Sequence, residues 1–250
     1  MSLPISDQFG LIIIGSEILD GRRQDAHFAF FRDRLLERHI HMRYSLLLED
    51  DPELLIAKLE WAMDQPHPFF CCGGIGGTPD DHTRQCAAKA GGVGIAVHPE
   101  GAGILHERMG RDLTPSRLRM VTFPETSTLI PNPVNQVPGF TFRNGHFLPG
   151  FPEMAHPMMV WVLDHCYSPA REKVCHVLRL PGAREADLAD VMEQFTDDHP
   201  QLSFSSLPRF TDTGSEIDLS VKGPTDEARA GLERLVAMLD VQGVEFTVVT

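Results

Sequence analysis

The sequence predicts an α/β fold: a three-layer α/β/α domain with a mostly parallel sheet, followed by a small α+β domain of βαββαβ order. Three observations carry this expectation. Short apolar runs alternate with helical stretches from the start, and the third run empties into Gly73-Gly74-Ile75-Gly76-Gly77. A composition shift at Tyr167-Ser168-Pro169-Ala170 then separates the two parts, giving expected domains 1–168 and 169–250. A chain of 250 residues accommodates both, because single cores stop growing near roughly 250 residues.

The elements follow in order. Phe9 to Ile14 is a continuous apolar run and reads as a buried strand. Asp25 to Arg38 carries Phe28, Phe31, Leu35 and Leu36 at helical spacing, and His41 to Leu48 reads as the second strand. Pro52 opens a helix through Leu59 and Ala62 that Pro66 and Pro68 break. Phe69 to Cys72 is the third strand, and a helix is expected from Pro79 to Ala90. Further on come a strand in Gly91 to Val97, helices Pro99 to Met109 and Pro115 to Val121, and a strand Ser127 to Ile130. Residues 130–139 are too rich in Pro, Asn and Gly for regular structure and predict a structured loop. Arg143-Asn144-Gly145 signals a hairpin, and a helix follows Pro152 to His165. The tail reads as strand Lys173 to Leu180, helix Arg184 to His199, strands Leu202 to Leu207 and Ser215 to Val221, helix Pro224 to Leu239 and strand Val244 to Val249.

Charge narrows the partners. The formal net charge is −13, of which −7 lies from Arg171 on. Nucleic-acid and anionic-membrane binding rest on surplus Lys and Arg, so neither is expected. No early apolar run approaches a secretory core or a membrane span. Five cysteines without a C-x-x-C pair read as buried thiols of a cytoplasmic protein, and twelve histidines show no zinc spacing.

The strongest chemical signal is the stretch Cys72 to Thr83. A strand entering Gly73, Gly74, Gly76, Gly77 and Thr78 before a helix start gathers free backbone N–H groups, which suits a phosphate or pyrophosphate. It is neither a Walker A loop nor a dinucleotide fingerprint. Asp80 and Asp81 would repel a phosphate unless a divalent cation intervenes, which points to Mg²⁺ shared with phosphate oxygens. Thr78, Pro79 and Asp81 also fit N-cap, N1 and N3 of a helix, so Asp81 has a capping reading beside the metal one. Ser16 and Glu17 follow the first strand, and they and Asp25 meet the glycine loop if those strands are neighbours; ordinary helix-start chemistry is their other reading. Asp50 leaves the second strand on the same rim, beside an Asp51-Pro52 helix cap. Arg22, Arg23, Arg84, Arg117 and Arg119 are the basic groups within reach of an anionic ligand.

Five ordered motifs over residues 9–165 resemble the molybdopterin-binding, MoaB/Mog-like domain family, in particular the N-terminal domain of competence/damage-inducible protein CinA. They are Gly15-Ser16-Glu17-Ile18-Leu19-x-Gly21, the glycine loop through Thr83, Leu113-Thr114-Pro115, Pro131-Asn132-Pro133-Val134 with Pro138-Gly139-Phe140, and Leu148-Pro149-Gly150-x-Pro152. The resemblance implies pterin or adenine-nucleotide binding at the glycine loop and a homo-oligomer. It implies metal-dependent hydrolysis of ADP-ribose in the CinA-like branch, or adenylyl transfer to molybdopterin in the Mog-like branch; a ligand-binding protein without turnover is a further reading. Carried over, Gly74, Gly76, Thr78, Asp80 and Asp81 match the phosphate and metal loop, Glu17 and Asp25 the first-strand loop, Asp50 the acidic position after the second strand, and Pro149 and Gly150 the closing loop. Asp81, Asp80 and Asp50 are thereby the expected catalytic residues. The chain departs from the family pattern at Cys72, Gly77, His27 and Met154, the last standing where the family has a glutamate. The tail is similar to a small KH-like subdomain, and no room is left for the C-terminal deamidase domain of full-length CinA proteins.

Overall fold

Alternation along the first strand builds the two faces of the main sheet. Ile12 and Ile14 pack into one core, while Phe9, Leu11 and Ile13 pack into another on the opposite side, as a strand buried on both faces requires. The computed structural model describes residues 4–110, 113–211 and 214–249. It divides the chain into two units, Met1–Ala170 and Arg171–Thr250.

The first unit runs β1 (Gln8–Ile14), α1 (Ser16–Leu19), α2 (His27–Leu36), β2 (His41–Leu48), α3 (Pro52–Met63), β3 (Phe69–Cys72), α4 (Thr83–Ala90), β4 (Ile95–Val97), α5 (Pro99–Met109), α6 (Pro115–Leu118), β5 (Thr122–Pro124), β6 (Thr128–Ile130), β7 (Gly139–Phe142), β8 (Gly145–Leu148) and α7 (Pro152–Cys166). Its main sheet has the order β2-β1-β3-β8-β7-β6. The first four strands in that order are parallel, and β7 and β6 run antiparallel to their neighbours. Leu55 and Leu59 of α3, Ala87 of α4 and Leu105 of α5 cover one face. Phe31 and Leu35 of α2, with Met158 and Val162 of α7, cover the other. This is the expected three-layer domain. Phe140 stacks on Phe147 at 4.5 Å across the β7–β8 hairpin and binds the antiparallel end of the sheet to its core.

Cys71 and Cys72 fall in different cores. Burial pushes both thiols above their usual range, so they act as small hydrophobes. Two elements differ from the sequence expectation. Helix α4 starts at Thr83 and not at Pro79, because the Thr83 amide donates to the Gly74 carbonyl (3.0 Å) and its hydroxyl to the Gly73 carbonyl (2.9 Å), which ties the helix start to the glycine loop. Residues 91–97 contribute only the three-residue β4, which pairs antiparallel with β5; strands this short leave no periodic signal.

The second unit runs β9 (Lys173–Pro181), α8 (Glu185–Asp198), β10 (Ser203–Thr211), β11 (Gly214–Pro224), α9 (Thr225–Val241) and β12 (Thr247–Val249). The sheet order β10-β11-β9-β12, antiparallel throughout, is that of a ferredoxin-like split βαβ arrangement. Leu178, Leu180, Leu219 and Val221 face Phe195 of α8 and Leu235 and Leu239 of α9. On the opposite face Asp218 binds Arg179 at 2.8 Å and Arg209 at 3.0 Å. No helix among the described residues is long and apolar enough to cross a membrane.

His146 sits against Phe9 and Phe70 in the second core of the first unit, bonded to Thr141 Oγ1 at 2.9 Å and Tyr167 Oη at 2.7 Å. Burial pushes its pKa down to about 3. It therefore stays neutral while the unfolded chain's histidine takes a proton below about pH 6.5. Its contribution to stability is present above that pH and is lost as pH falls towards about 3. In His146→Gln, denaturant unfolding between pH 6 and 4 is expected to show an acid slope shallower by up to one proton, about 1.4 kcal/mol per pH unit. An unchanged slope removes His146 from the acid response.

Candidate functional site

Strands β1 and β3 are parallel neighbours, so the turns that follow them leave the sheet at the same end, where open α/β sheets place ligands. There the two turns, the exit of β2, the 130–139 loop and the β8–α7 turn enclose a cavity of about 450 Å³. It has the size of a small-molecule site.

Its floor is the glycine loop. Gly73 takes φ +109° and Gly74 φ +64°, backbone that side-chain-bearing residues seldom adopt. Space is equally restrictive, since a Cβ at Gly73 would lie 2.2 Å from the Ile14 carbonyl oxygen and one at Gly74 2.2 Å from Thr83 Oγ1. The Gly73 amide donates to Leu148 O at 3.0 Å, which ties the loop to the end of β8. The next four amides, Gly74, Ile75, Gly76 and Gly77, find no acceptor among the described residues. A run of N–H groups without acceptors has donors to offer an anion.

Carboxylates surround this floor. Asp50 is half-buried, and its Oδ2 accepts from the Ser16 amide (2.9 Å) and hydroxyl (3.0 Å), while Ser16 Oγ accepts from the Asp50 amide (3.1 Å). Asp81 Oδ2 accepts from the Thr78 amide at 2.9 Å and from the Thr78 hydroxyl. Asp80 is exposed. Glu17 lines the cavity with Arg23, whose guanidinium lies 3.9 Å from it.

The arginines are used differently from the sequence expectation. Arg84 is only 2% exposed, and it donates to the carbonyls of Gly76 (2.6 Å) and Thr122 (3.3 Å) and to that of Arg119. Arg119 donates to the Gly77 carbonyl at 3.3 Å. Both side chains occupy loop carbonyls, while the amides from Gly74 to Gly77 stay without an acceptor among the described residues. Arg22 pairs with Asp20 at 2.9 Å. Among the described residues lining the cavity, Arg23 is the one basic side chain against Glu17, Asp50, Asp80 and Asp81.

Most of the expected site residues share this cavity: Glu17, Asp50, Gly73, Gly74, Gly76, Gly77, Thr78, Asp80, Asp81, Pro149 and Gly150 all line it. Ser16 and Asp25 do not. Ser16 works behind Asp50, as its hydrogen bonds show, and Asp25 accepts from the amides of His27 (2.9 Å) and Phe28 (3.0 Å) to start α2. The expected capping box is also corrected: Thr78 to Asp81 is a turn closed by Asp81 N to Thr78 O at 3.1 Å, ahead of α4. Lining residues outside the expected set are Arg23, Met120, Asn132, Asn135, Phe151 and Met154. Asn132 is buried and braces its own loop through Val137 O (3.0 Å) and Val134 N (3.0 Å). An Asn between two prolines was the available signal for it.

Among the described residues no three His, Cys, Asp or Glu side chains converge to hold a metal ion. A cation enclosed by protein ligands alone therefore does not fit. A hard cation held by one or two carboxylates together with phosphate oxygens does, because Asp80 and Asp81 adjoin the unpaired amides on the cavity wall.

Fold and cavity together define a three-layer α/β domain with a cavity-lining glycine loop at the carboxyl end of a parallel sheet. The family model described as a probable molybdopterin binding domain matches residues 10–168, and the chain belongs to that family. A CinA-like protein of Sulfurihydrogenibium sp. is 28% identical over 211 residues, covering 81% of this chain and 52% of that protein. A Pyrobaculum arsenaticum protein is 28% identical over 247 residues, 92% of this chain and 93% of its own length. The chain thus spans about half of the CinA-like relative and nearly all of the archaeal one. The crystal structure of the protein CinA with unknown function from Thermoplasma acidophilum matches with a TM-score of 0.59 and 26% identity, over 64% of this chain and 97% of that one.

Gly73→Ala is expected to destabilise the first unit by about 1–3 kcal/mol, the scale of a forced backbone outlier, as read from the midpoint of thermal unfolding. An unaltered midpoint shows that the close packing of Gly73 on Ile14 is relieved without cost.

Proposed function

We propose that this cavity binds a phosphate-bearing nucleotide or pterin and, with a divalent cation such as Mg²⁺, hydrolyses a pyrophosphate bond of the ADP-ribose type in the cytoplasm. One observation carries the reading: the four consecutive amides from Gly74 to Gly77 belong to residues that line the cavity and find no acceptor among the described residues, while Arg84 and Arg119 bind the carbonyls of Gly76 and Gly77 in the same loop. Such a loop presents donors on one side only, which suits phosphate oxygens.

The chemistry follows from the charges. The amides bind the phosphate oxygens and hold the pyrophosphate in place. Asp80 and Asp81 would hold the cation, which when bound neutralises phosphate charge and activates water. Thr78 fixes the Asp81 carboxylate, so its direction is set before ligand enters. Ser16 fixes Asp50 in the same way, and Asp50 can then orient a water or accept its proton. A second reading, ligand binding without turnover, is favoured by the engagement of Asp81 Oδ2 with two donors of Thr78, which leaves that oxygen less able to serve a cation.

Asp81→Asn keeps an acceptor for Thr78 while removing the charge. AMP release from ADP-ribose in Mg²⁺, Mn²⁺ or Co²⁺ is expected to fall on the order of 10²-fold, the scale of losing one transition-state electrostatic group, with thermal unfolding unchanged. Binding of ADP-ribose to the unsubstituted protein with no AMP release under any of these metals establishes the second reading and ends the first.

A further inference from the structure

Two imidazoles lie together beside the turn that closes the cavity. His27, the first residue of α2, is buried, and its Nε2 donates to the Gly150 carbonyl at 3.2 Å. A carbonyl oxygen only accepts, so in the neutral ring this bond fixes the tautomer: Nε2 carries the proton and Nδ1 is a bare acceptor. That Nδ1 is buried without a hydrogen-bond partner among the described residues, and so is Nε2 of His156 on α7. The His27 ring packs edge-on to Phe31 (5.9 Å) and to His156 (5.5 Å), and His156 stacks on Phe30 at 3.8 Å. Packing thus holds both rings in place, each with one unpartnered nitrogen.

His27 is not a lining residue, yet it bears on the shape of the cavity. Gly150, whose carbonyl it holds, lines the cavity and packs on the glycine loop so closely that a Cβ at Gly150 would stand 3.3 Å from the Gly73 Cα. Turn and loop therefore meet backbone to backbone. Binding sites tolerate displacements of only about 0.5 Å, so a bond that fixes Gly150 also fixes the wall against which the loop is set. Acid acts on this bond through the ring's surroundings. The charged groups around the pair are Asp25 at the start of α2, Glu153 on α7, and Arg34, whose guanidinium lies 5.7 Å from the Phe30 centroid; the Cys72 thiol of β3 is kept neutral by burial. Burial holds His27 below the usual histidine range, against the pull of the Gly150 carbonyl, Asp25 and Glu153. Burial and then His27 do the same to His156, against its backbone bond to Ala26, Glu153 and Asp25. A proton that reaches Nδ1 of His27 finds no acceptor there and a second imidazole close by. A charge so placed requires water, and water enters only if the turn and α2 part.

We propose that His27 is a positioning residue of the cavity: its neutral ring ties the turn carrying Gly150 to α2, and protonation of that ring beside His156 releases the turn and weakens ligand binding. The proposal deepens the phosphate-binding reading as a regulation of the same site, and its ligand measurements rest on that reading. Two variants separate its parts. His27→Gln keeps an N–H donor for Gly150 and takes up no proton, while His27→Leu removes the donor.

The probe is inorganic pyrophosphate with Mg²⁺, titrated at about pH 7.5 and about pH 5, on either side of the histidine range. Proteins are compared at the same pH, so that titration of the probe and of the cavity carboxylates cancels. At the higher pH the Gln variant is expected to bind as the unsubstituted protein does, and the Leu variant about 2- to 10-fold more weakly, the scale of one neutral hydrogen bond. At the lower pH the unsubstituted protein is expected to fall behind the Gln variant by a similar factor. Amide exchange without ligand reads the turn directly. The Gly73, Met154 and Ala155 amides, bonded to Leu148 O and Phe151 O, are expected to exchange faster in the Leu variant at both pH values, and faster in the unsubstituted protein than in the Gln variant at the lower one. Equal affinity and exchange in all three proteins at the higher pH overturns the positioning role. An acid loss as large in the Gln variant as in the unsubstituted protein overturns the protonation step, and this comparison stands even where the Leu variant does not fold. Failure of all three proteins to bind pyrophosphate overturns the phosphate reading, and the exchange rates then decide the role of His27 alone.

Discussion

The close approach of Gly73 to the end of β1 is the constraint on which the rest of the site depends. The Gly73 amide is bound to the end of β8, and the residue sits where a side chain would strike the Ile14 carbonyl. Three parallel strands thus finish at one point, with Gly150 packed against Gly73 from the β8 side. The Ile14–Gly15, Cys72–Gly73 and Leu148–Pro149 exits open into the same cavity. Loops that leave a sheet at a shared end can cooperate on one ligand, which is why the carboxyl ends of parallel strands host sites. The core beneath supplies rigidity: Ile12, Phe69 and Phe147 on one face, and Leu11, Phe70 and Leu148 on the other, are buried at 0% exposure.

The electrostatics of the loop run opposite to a simple basic anion pocket. Arg84, inserted beneath the loop, costs desolvation, and burial lowers its pKa accordingly. Its hydrogen bonds to three carbonyls offset that cost and orient the peptide units, so a cation stabilises the loop without lining the cavity. Arg119 does the same at Gly77. The positive character offered to a ligand is therefore that of peptide amides, and the side chains offered are mostly acidic.

The three-layer domain was legible because its signals are long and regular. β1, β2, β3 and the helices between them follow from apolar periodicity, Pro52 at a helix start and the glycine loop, and the tail followed from the same cues. The misreadings occur where tertiary bonds override local chemistry. Thr78-Pro79-x-Asp81 has the composition of a capping box, yet two hydrogen bonds from Thr83 to the loop carbonyls delay the helix. Asp25 was read from its charge alone, and the structure adds a local role, its two oxygens accepting from the first amides of α2. Nothing in the sequence around Arg84 distinguishes a buried loop brace from a ligand-facing cation, since the difference is made by carbonyls at positions 119 and 122. Phe151, likewise, reads as one more apolar residue before a helix; only its exposure on the cavity wall marks it.

The acidity of the chain gains a specific meaning from this arrangement. Of the net −13, −7 lies in the second unit, where much of the charge is on exposed helix and strand faces. The first unit is less acidic overall, but its cavity gathers four carboxylates with Arg23, already close to Glu17, as their basic companion. A bare pyrophosphate entering this space meets like charge within a few ångströms, and amide donors alone offset only part of that repulsion. A ligand accompanied by a divalent cation reverses the balance, because the carboxylates then attract what the phosphate brings. Under the proposed function, the acidic rim filters for cation-loaded phosphate esters, and the glycine loop is the surface that holds the phosphate once it has arrived.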